Sequence, residues 1–275
     1  MVRVTRFRFL RQFLVGLVCV VMIAACGGGG DTSTPAGDAA GGGSDRLVVA
    51  TEPAFPPFEF QAEDGSLAGF DIDLMNAIGE AAGFEVEFQS LPFDGIIPAL
   101  QSNTVDAAIS GMTITAARLE TVDFSRPYIA AGLAIAVQES NTDINSIDDL
   151  EGKRIAVQIG TTGAETANGI ANAQVSTFDS APLALQELAN GNADAVINDA
   201  PVTLDAIASG NIPGLKVIGE LVTEEYYGIA LPKGSPNLER VNSGMATIIE
   251  NGTYAEIFQT WFGAEPPELP EEAPL

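Results

Sequence analysis

From Arg46 onwards the chain alternates short apolar runs with amphipathic stretches. A short apolar run indicates a buried strand, whereas apolar residues spaced three or four apart, such as Leu74, Ile78 and Ala81, indicate one face of a helix. On this basis the first series contains strands at 47–50, 86–91 and 105–109 and helices at 71–82, at 96–101 and from 116 onwards. The alternation predicts an open, mostly parallel sheet covered by helices.

A second series of the same kind begins after the apolar run 129–137. It contains strands at 154–157, 195–197, 215–218 and 228–231 and helices from 163, at 183–188, from 201, at 238–250 and at 254–262. Two series of similar size predict an α/β protein with two lobes. The proline-rich segment 265–275 continues neither series, and we expect it to be a frayed tail.

The first 26 residues have the pattern of a secretory signal, with arginines before an apolar stretch at 13–25. This stretch is too short for a comfortable transmembrane helix. It ends in Ile23-Ala24-Ala25-Cys26, which resembles the lipobox of bacterial lipoproteins. We therefore expect a signal peptide at 1–26, lipid on Cys26 and a location outside the cytoplasmic membrane. The alternative is cleavage beside an incidental cysteine. Residues 27–45 predict a flexible tether.

Cysteine and histidine usage excludes several kinds of chemistry. Of the two cysteines, Cys19 leaves with the signal, and the chain has no histidine. This excludes disulfides, Cys- or His-based metal sites and Ser-His-Asp nucleophiles, so we expect a binding protein without cofactor or metal. Without the four arginines of residues 1–26, eight basic residues face 37 acidic ones, a net charge of −29. Such a surface repels nucleic acid and anionic lipid headgroups.

Polar residues follow four of the apolar strand runs directly. They are Thr51-Glu52, residues 110–113, residues 158–162 and Asn198-Asp199. Ligands of open α/β sheets bind beyond the carboxyl ends of the strands. Because these four segments come from both series, they predict a ligand cleft between the lobes.

Arg118 is the most informative single residue. Thr115 is predicted to cap a helix, which places Arg118 in the first turn, where a cation opposes the helix dipole. A bound carboxylate or phosphate would remove this cost. The alternatives are a surface arginine and a partner for a nearby acid. A second helix start is predicted at Gly160-Thr161-Thr162-Gly163. Its free N–H groups and hydroxyls could bind the same anion from the other lobe, and the alternative is simple N-capping.

Four further residues are candidates for the rest of the site. Asp199 is either a helix cap or a partner for an ammonium group. Glu52 is either a solvated loop acid or a partner for a positive or amide group. Phe55 and Phe93 either flank an aliphatic ligand or belong to the core. Asp71, by contrast, falls in a first helical turn, where acids favour the dipole, and is interpreted as structural.

Together these segments resemble the bacterial solute-binding proteins for polar amino acids, which serve ABC transporters. The resemblance covers nearly all of residues 46–264. Its motifs are Gly69-Phe70-Asp71-Ile72-Asp73-Leu74, Phe93-Asp94-Gly95-Ile96-Ile97-Pro98-Ala99-Leu100, Gly111-Met112-Thr113-Ile114-Thr115 with Arg118, Asp123-Phe124-Ser125 with Pro127-Tyr128, Ala193-Asp194-Ala195-Val196 with Asp199, and Asn251-Gly252-Thr253-Tyr254 with Trp261-Phe262-Gly263.

The resemblance implies a two-lobed periplasmic-binding-protein-like fold with hinge strands near 128–136 and 225–231. Lobe 1 would comprise 46–128 and 229–264, lobe 2 would comprise 129–228, and 265–275 would be the tail. It also implies roles in binding an amino acid. Arg118, Thr161 and Thr162 would bind the α-carboxylate, and Asp199, the Gly111 carbonyl and Thr113 would bind the α-ammonium. Phe55 and Phe93 would flank the stem of the ligand's side chain. The far end of that side chain would contact Ser110, Glu52 and Gln158.

Glu52 and Gln158 bear on which amino acid is bound. A binder of acidic amino acids needs a cation opposite the distal carboxylate, and none of the eight basic residues except Arg118 has a matching position. An acid at position 52 suits a guanidinium or ammonium, and the segments around Glu52 and Gln158 look most like arginine-type binders. Glutamine-type relatives also place an acid there, so glutamine remains the alternative.

The expected function is capture of a free amino acid by a monomer that docks on a membrane permease. Two other classes are open. The same fold occurs in cyclohexadienyl dehydratases, although the clamp of Arg118 and Asp199 argues against that enzyme. The second class is a stand-alone lipoprotein that passes its ligand to a separate sensor.

Overall fold

The computed structural model describes residues 45–275 of the 275-residue chain. The predicted signal peptide, the lipid site at Cys26 and nearly all of the predicted tether lie outside the described residues. Within 45–275, two lobes each contain a five-stranded mixed sheet with flanking helices, which confirms the predicted fold class. None of the helices in this range is long and apolar enough to cross a membrane.

Lobe 1 is built on a sheet whose strands lie in the order β5-β1-β6-β15-β7. In chain order these strands are β1 (Arg46–Thr51), β5 (Glu85–Ser90), β6 (Ala107–Ala108), β7 (Val122–Phe124) and β15 (Ala230–Pro232). The helices of lobe 1 are α1 (Phe70–Ala82), α2 (Phe93–Gln101), α3 (Ala116–Leu119), α7 (Asn237–Glu250) and α8 (Thr253–Phe262). Strand β1 is parallel to β5 and β6, and β15 is antiparallel to β6 and β7.

Lobe 2 repeats this plan, with strands in the order β11-β10-β12-β9-β13. They are β9 (Leu133–Gln138), β10 (Arg154–Gln158), β11 (Gln174–Phe178), β12 (Ala195–Asp199) and β13 (Leu215–Ile218). The helices are α4 (Thr162–Asn168), α5 (Ala181–Ala189), α6 (Ala200–Ala208) and a 3-10 turn at Ile147–Leu150. Strand β10 is parallel to β11 and β12, and β9 is antiparallel to its neighbours β12 and β13, as β15 is in lobe 1.

Two smaller sheets complete the architecture. Strands β8 (Ile129–Ala131) and β14 (Glu225–Tyr227) form an antiparallel ribbon where the chain passes between the two large sheets. Strands β2 (Ala54–Phe55), β3 (Glu59–Gln61) and β4 (Leu67–Ala68) form a small sheet between β1 and α1.

The structure differs from the predicted elements in several places. The segment after Glu52 contains the β2–β3 hairpin, which was not predicted. Strand β11 was not predicted, because it lies at a sheet edge with no buried residue and therefore has no apolar run. Residues 265–275 have no helix or strand, as expected of a tail, but they are not entirely frayed, because Leu269 and Ala273 pack against the lobe 1 core.

Gly69 joins the small sheet to α1 by a close backbone approach. Its φ is +134°, and a Cβ added there would lie 2.0 Å from the carbonyl oxygen of Phe58. The absence of a side chain lets that carbonyl accept a hydrogen bond from the Asp71 N–H at 2.8 Å. Glycine at position 69 therefore holds the start of α1 against β3.

We expect Gly69→Ala to lower the free energy of unfolding by at least about 2 kcal/mol, because it combines an unfavourable φ with a backbone clash. Urea denaturation measures the loss. The control is Gly65→Ala, where φ is +86° and an added Cβ meets nothing within 4 Å, so only about 1–2 kcal/mol of backbone strain is expected. Equal losses in the two variants would contradict the clash.

Candidate functional site

The structure brings the predicted site residues together at the carboxyl ends of strands from both lobes. Ten of the eleven line one narrow cavity. The eleventh, Glu52, is hydrogen-bonded to two of them, Ser110 and Gln158. The lining residues are Phe55, Phe93, Ser110, Gly111, Thr113, Arg118, Gln158, Thr161, Thr162 and Asp199.

Arg118 is buried in this cavity and is only 8 % exposed. Thr115 caps α3 as predicted, accepting a hydrogen bond from the Arg118 N–H at 3.2 Å. The guanidinium donates to the carbonyl of Thr113 at 2.7 Å and to that of Gly160, from lobe 2, at 3.0 Å. Its Cζ lies 5.5 Å from the centre of the Phe93 ring.

No carboxylate forms a salt bridge with Arg118 in the part of the chain that the structure describes. Burial lowers the pKa of this guanidinium, while the more distant charges of Glu165, Asp199 and Glu225 oppose the shift. The surface-arginine and ion-pair alternatives are therefore both wrong. The cavity holds a buried cation whose direct partners are neutral, which favours an anionic guest.

The start of α4 faces Arg118 from lobe 2. Thr161 caps this helix by accepting from the Ala164 N–H at 3.1 Å and donates to the Gln158 carbonyl at 2.8 Å. The N-capping alternative therefore holds for Thr161, which also lines the cavity. The first main-chain N–H groups of a helix have no intrahelical acceptor, so the start of α4 suits an anion.

Asp199 is the last residue of β12 and is buried. It occupies the N-cap position of α6, as the helix-cap alternative expected, but its side chain makes no capping bond there. Instead its Oδ1 accepts from the hydroxyl of Tyr227. Burial, opposed by this bond, raises the pKa of Asp199 to about 7. A cation near the carboxylate would restore its ionised form.

Glu52 and Gln158 meet across the cleft. The Nε2 of Gln158, at the end of β10 in lobe 2, donates to Oε2 of Glu52, just after β1 in lobe 1, at 2.7 Å. Burial, with further repulsion from Asp94 and Asp179, raises the pKa of Glu52 to about 7 against the effect of the Gln158 bond. Glu52 is 6 % exposed, so it is not a solvated loop acid.

Phe55 and Phe93 are buried and line the cavity, so each is both a packed aromatic and a candidate ligand contact. Gly111, at φ +53°, allows Phe55 to pack on it, because an added Cβ would lie 2.7 Å from the ring. The two rings give the cavity apolar walls between its charged groups.

Glu225 is a further residue of the site that was not predicted from the sequence. This buried residue of β14 accepts hydrogen bonds from the hydroxyls of Thr113 at 2.7 Å, Thr162 at 3.0 Å and Thr223 at 3.0 Å. It thereby ties a hinge strand to a residue of each lobe. The neighbouring Glu224 is exposed. Adjacent residues of an extended chain point to opposite faces, but this strand has no apolar pattern that would show which of the two glutamates is buried.

Comparisons with known proteins place this arrangement among binding proteins. Residues 47–264 match the profile of the bacterial extracellular solute-binding proteins, family 3. The L-cystine-binding protein TcyJ of Escherichia coli strain K12 is 33% identical over 222 residues, 80% of this chain and 83% of that protein. An ancestral arginine-binding protein bound to arginine matches with a TM-score of 0.77 and 45% identity, covering 79% of this chain and 98% of that one. One bound to glutamine matches with a TM-score of 0.74 and 46% identity, over 80% and 98%.

We expect Glu225→Ala to lower the free energy of unfolding by about 1–3 kcal/mol, because three threonine hydroxyls lose their acceptor. Thermal and urea unfolding measure the change. Glu224→Ala is the matched control, since this exposed side chain accepts only from the Tyr226 hydroxyl, and it is expected to change stability by less than about 0.5 kcal/mol. Similar effects of the two substitutions would show that Glu225 does not anchor the hinge.

Proposed function

Because the chain belongs to family 3 of the bacterial extracellular solute-binding proteins, we propose that it captures a basic amino acid of the arginine or lysine type. Its lobes close on the ligand, and the loaded protein delivers it to the permease of an ABC importer. The observation that carries the proposal is the buried Arg118, with no salt bridge to a carboxylate in 45–275, in one cavity with the buried carboxyl of Asp199. The buried carboxyl of Glu52 adjoins this cavity through its hydrogen bond with Gln158.

The two ends of the clamp match the two charges common to all free amino acids. Arg118 supplies a guanidinium to the α-carboxylate, with Thr161 and Thr162 at the start of α4 on the opposite side. Asp199, the Gly111 carbonyl and Thr113 receive the α-ammonium. Each charge-assisted hydrogen bond contributes roughly 1.5–3 kcal/mol, so a few such bonds support micromolar binding, about −8 kcal/mol.

The rest of the cavity favours a basic side chain. Phe55 and Phe93 flank its apolar stem, and Glu52, Ser110 and Gln158 receive its far end. Among the described residues that line the cavity, Arg118 is the single cation. A side-chain carboxylate would therefore face Glu52 without a counterion, and this disfavours acidic amino acids. Glutamine is the alternative, because its amide can also donate to Glu52.

We further propose that the protein acts as a monomer outside the cytoplasmic membrane, held there by lipid on Cys26. The dehydratase alternative is tested by incubation with prephenate or arogenate, for which we expect no turnover. The ligand-sensing alternative is tested by whether deletion of the gene abolishes uptake of the bound amino acid.

A thermal-shift screen of the twenty amino acids tests the function itself. We expect the largest shift with arginine or lysine, since a ligand at 100 times its Kd adds about 2.7 kcal/mol of stability. Arg118→Ala should weaken binding of that ligand by roughly 2–5 kcal/mol in calorimetry, because the buried carboxylate loses its partner. The control is Arg154→Ala, at the far end of β10 from Gln158, where the arginine is exposed and paired with Asp194. Unchanged affinity in Arg118→Ala would refute the clamp.

Affinity should also depend on pH. Since the pKa values of Glu52 and Asp199 are about 7 without ligand, a cationic ligand must displace protons from both carboxyls below pH 7. We expect Kd to rise as pH falls from 8 to 6, by up to about tenfold per unit for each carboxyl. Calorimetry in buffers of different ionisation enthalpy should detect proton release. Glu52→Gln should halve the slope and weaken arginine binding more than glutamine binding. A Kd that does not change with pH would contradict this prediction.

A further inference from the structure

We propose that Glu59 and Asp71 share a single proton beneath the binding cavity, and that this carboxyl–carboxylate pair positions Ser110 and Gly111 at the ligand. Neither acid lines the cavity, so both are positioning residues. The shared proton stands on its own, whereas the positioning role rests on the function proposed above.

The fold places the two carboxyls together inside lobe 1. Glu59 begins β3, Asp71 is in the first turn of α1, and both are 0 % exposed. The close approach at Gly69 holds these two elements against each other. Asp71 was interpreted as a dipole-favouring acid, but a fully buried side chain needs direct hydrogen bonds as well.

The outer oxygen of each carboxyl has its donors. Ser110 Oγ accepts from the Glu52 N–H at 2.9 Å, so its own hydroxyl proton is available to Glu59 Oε1 at 2.8 Å. Asp71 Oδ2 accepts from the Gly111 N–H at 2.9 Å and from the Tyr128 hydroxyl at 2.8 Å. On these outer sides both carboxyls act as acceptors.

The inner oxygens explain where the proton lies. Glu59 Oε2 and Asp71 Oδ1 are fully buried, and neither receives a hydrogen bond from any donor that the structure describes. Burial raises the pKa of both carboxyls, and their mutual interaction raises that of Glu59 further while it lowers that of Asp71. Two ionised carboxylates would place two acceptors in contact, whereas one proton between Oε2 and Oδ1 turns the same contact into a hydrogen bond.

The surroundings of the pair favour the same protonation. The titratable groups that face it are Glu52, Tyr128 and Tyr227, and none of these carries a positive charge. Burial together with the neighbouring acid raises the pKa of Glu59 well above its ordinary value of 4.5, and burial raises that of Asp71 to about 6. Both effects favour retention of one proton by the pair.

The resulting chain of hydrogen bonds reaches the cavity at two points. At one end it holds Ser110, and through Ser110 the main chain of Glu52. At the other end it holds the N–H of Gly111, whose carbonyl is assigned above to the ligand's ammonium group. A change in the pair's protonation therefore alters both the ammonium end and the side-chain end of the site.

Amide substitutions test the shared proton, because an amide N–H can replace it. In Glu59→Gln the new amide donates to Asp71, and in Asp71→Asn it donates to an ionised Glu59. Each single variant should keep Kd within about threefold of the wild type. In the double variant the outer oxygens must remain acceptors, so two NH2 groups face each other. It should lose at least about tenfold in affinity and be less stable than either single variant.

Two readouts need no ligand. At neutral pH, the infrared spectrum of the wild type should contain the carbonyl stretch of a protonated carboxylic acid that both single variants lack. This band should appear in wild-type-minus-variant difference spectra, in which the bands of Glu52 and Asp199 cancel. Asp73→Asn, which alters a neighbouring exposed acid of α1 bonded to Trp261, should keep it. Because the native state binds the extra proton, wild-type stability should fall as pH rises from about 4.5 towards neutrality. Glu59→Gln should lack this part of the pH dependence of stability. Glu52 and Asp199 contribute equally to the pH dependence of both proteins.

A difference spectrum between the wild type and Glu59→Gln that lacks this carbonyl band, or substitution effects that simply add in the double variant, would overturn the shared proton. If the double variant does not fold, the band and the pH slope of the single variants still decide the question. If no amino acid binds while both readouts behave as expected, the proposed function fails and the pair stands. Unchanged ligand affinity in a folded double variant would refute the positioning role.

Discussion

The central physical constraint on this protein is the burial of the Arg118 guanidinium between two lobes. Removing such a cation from water is expensive unless another group compensates it. Its hydrogen bonds go to the carbonyls of Thr113 and Gly160, and no carboxylate within residues 45–275 forms a salt bridge with it. The site therefore favours an anionic ligand, such as the carboxylate of an amino acid. The start of α4, which also suits an anion, lies at the same place.

The contacts that close the cleft use the same groups that are proposed to bind the ligand. Gln158 donates to Glu52 across the lobes, and Arg118 donates to Gly160. Glu225 on the hinge accepts hydrogen bonds from Thr113 of one lobe and Thr162 of the other. Under the proposed function, ligand binding would be coupled to lobe closure, because a group that turns to the ligand gives up a hydrogen bond to the opposite lobe.

Much of the fold and of the site could be predicted from local patterns. Apolar runs marked the buried strands, and polar residues directly after them marked the strand ends that meet at the cleft. Thr115 was recognised as a cap because capping depends on a few adjacent residues. Strand β11 was missed because an exposed edge strand leaves no apolar run, and Glu225 because nothing local separates it from Glu224.

The sequence by itself determined the βα order, the family, the scarcity of cations and the residue types available to bind a charged ligand. Only the tertiary structure decided which carboxyls are buried, which hydroxyls already donate a hydrogen bond and which acids affect each other's pKa. Glu59 and Asp71 are twelve residues apart and look like ordinary acids until Gly69 brings their elements into contact. The reason is physical: the properties of a charged group depend on its surroundings in space, which distant segments of the chain supply.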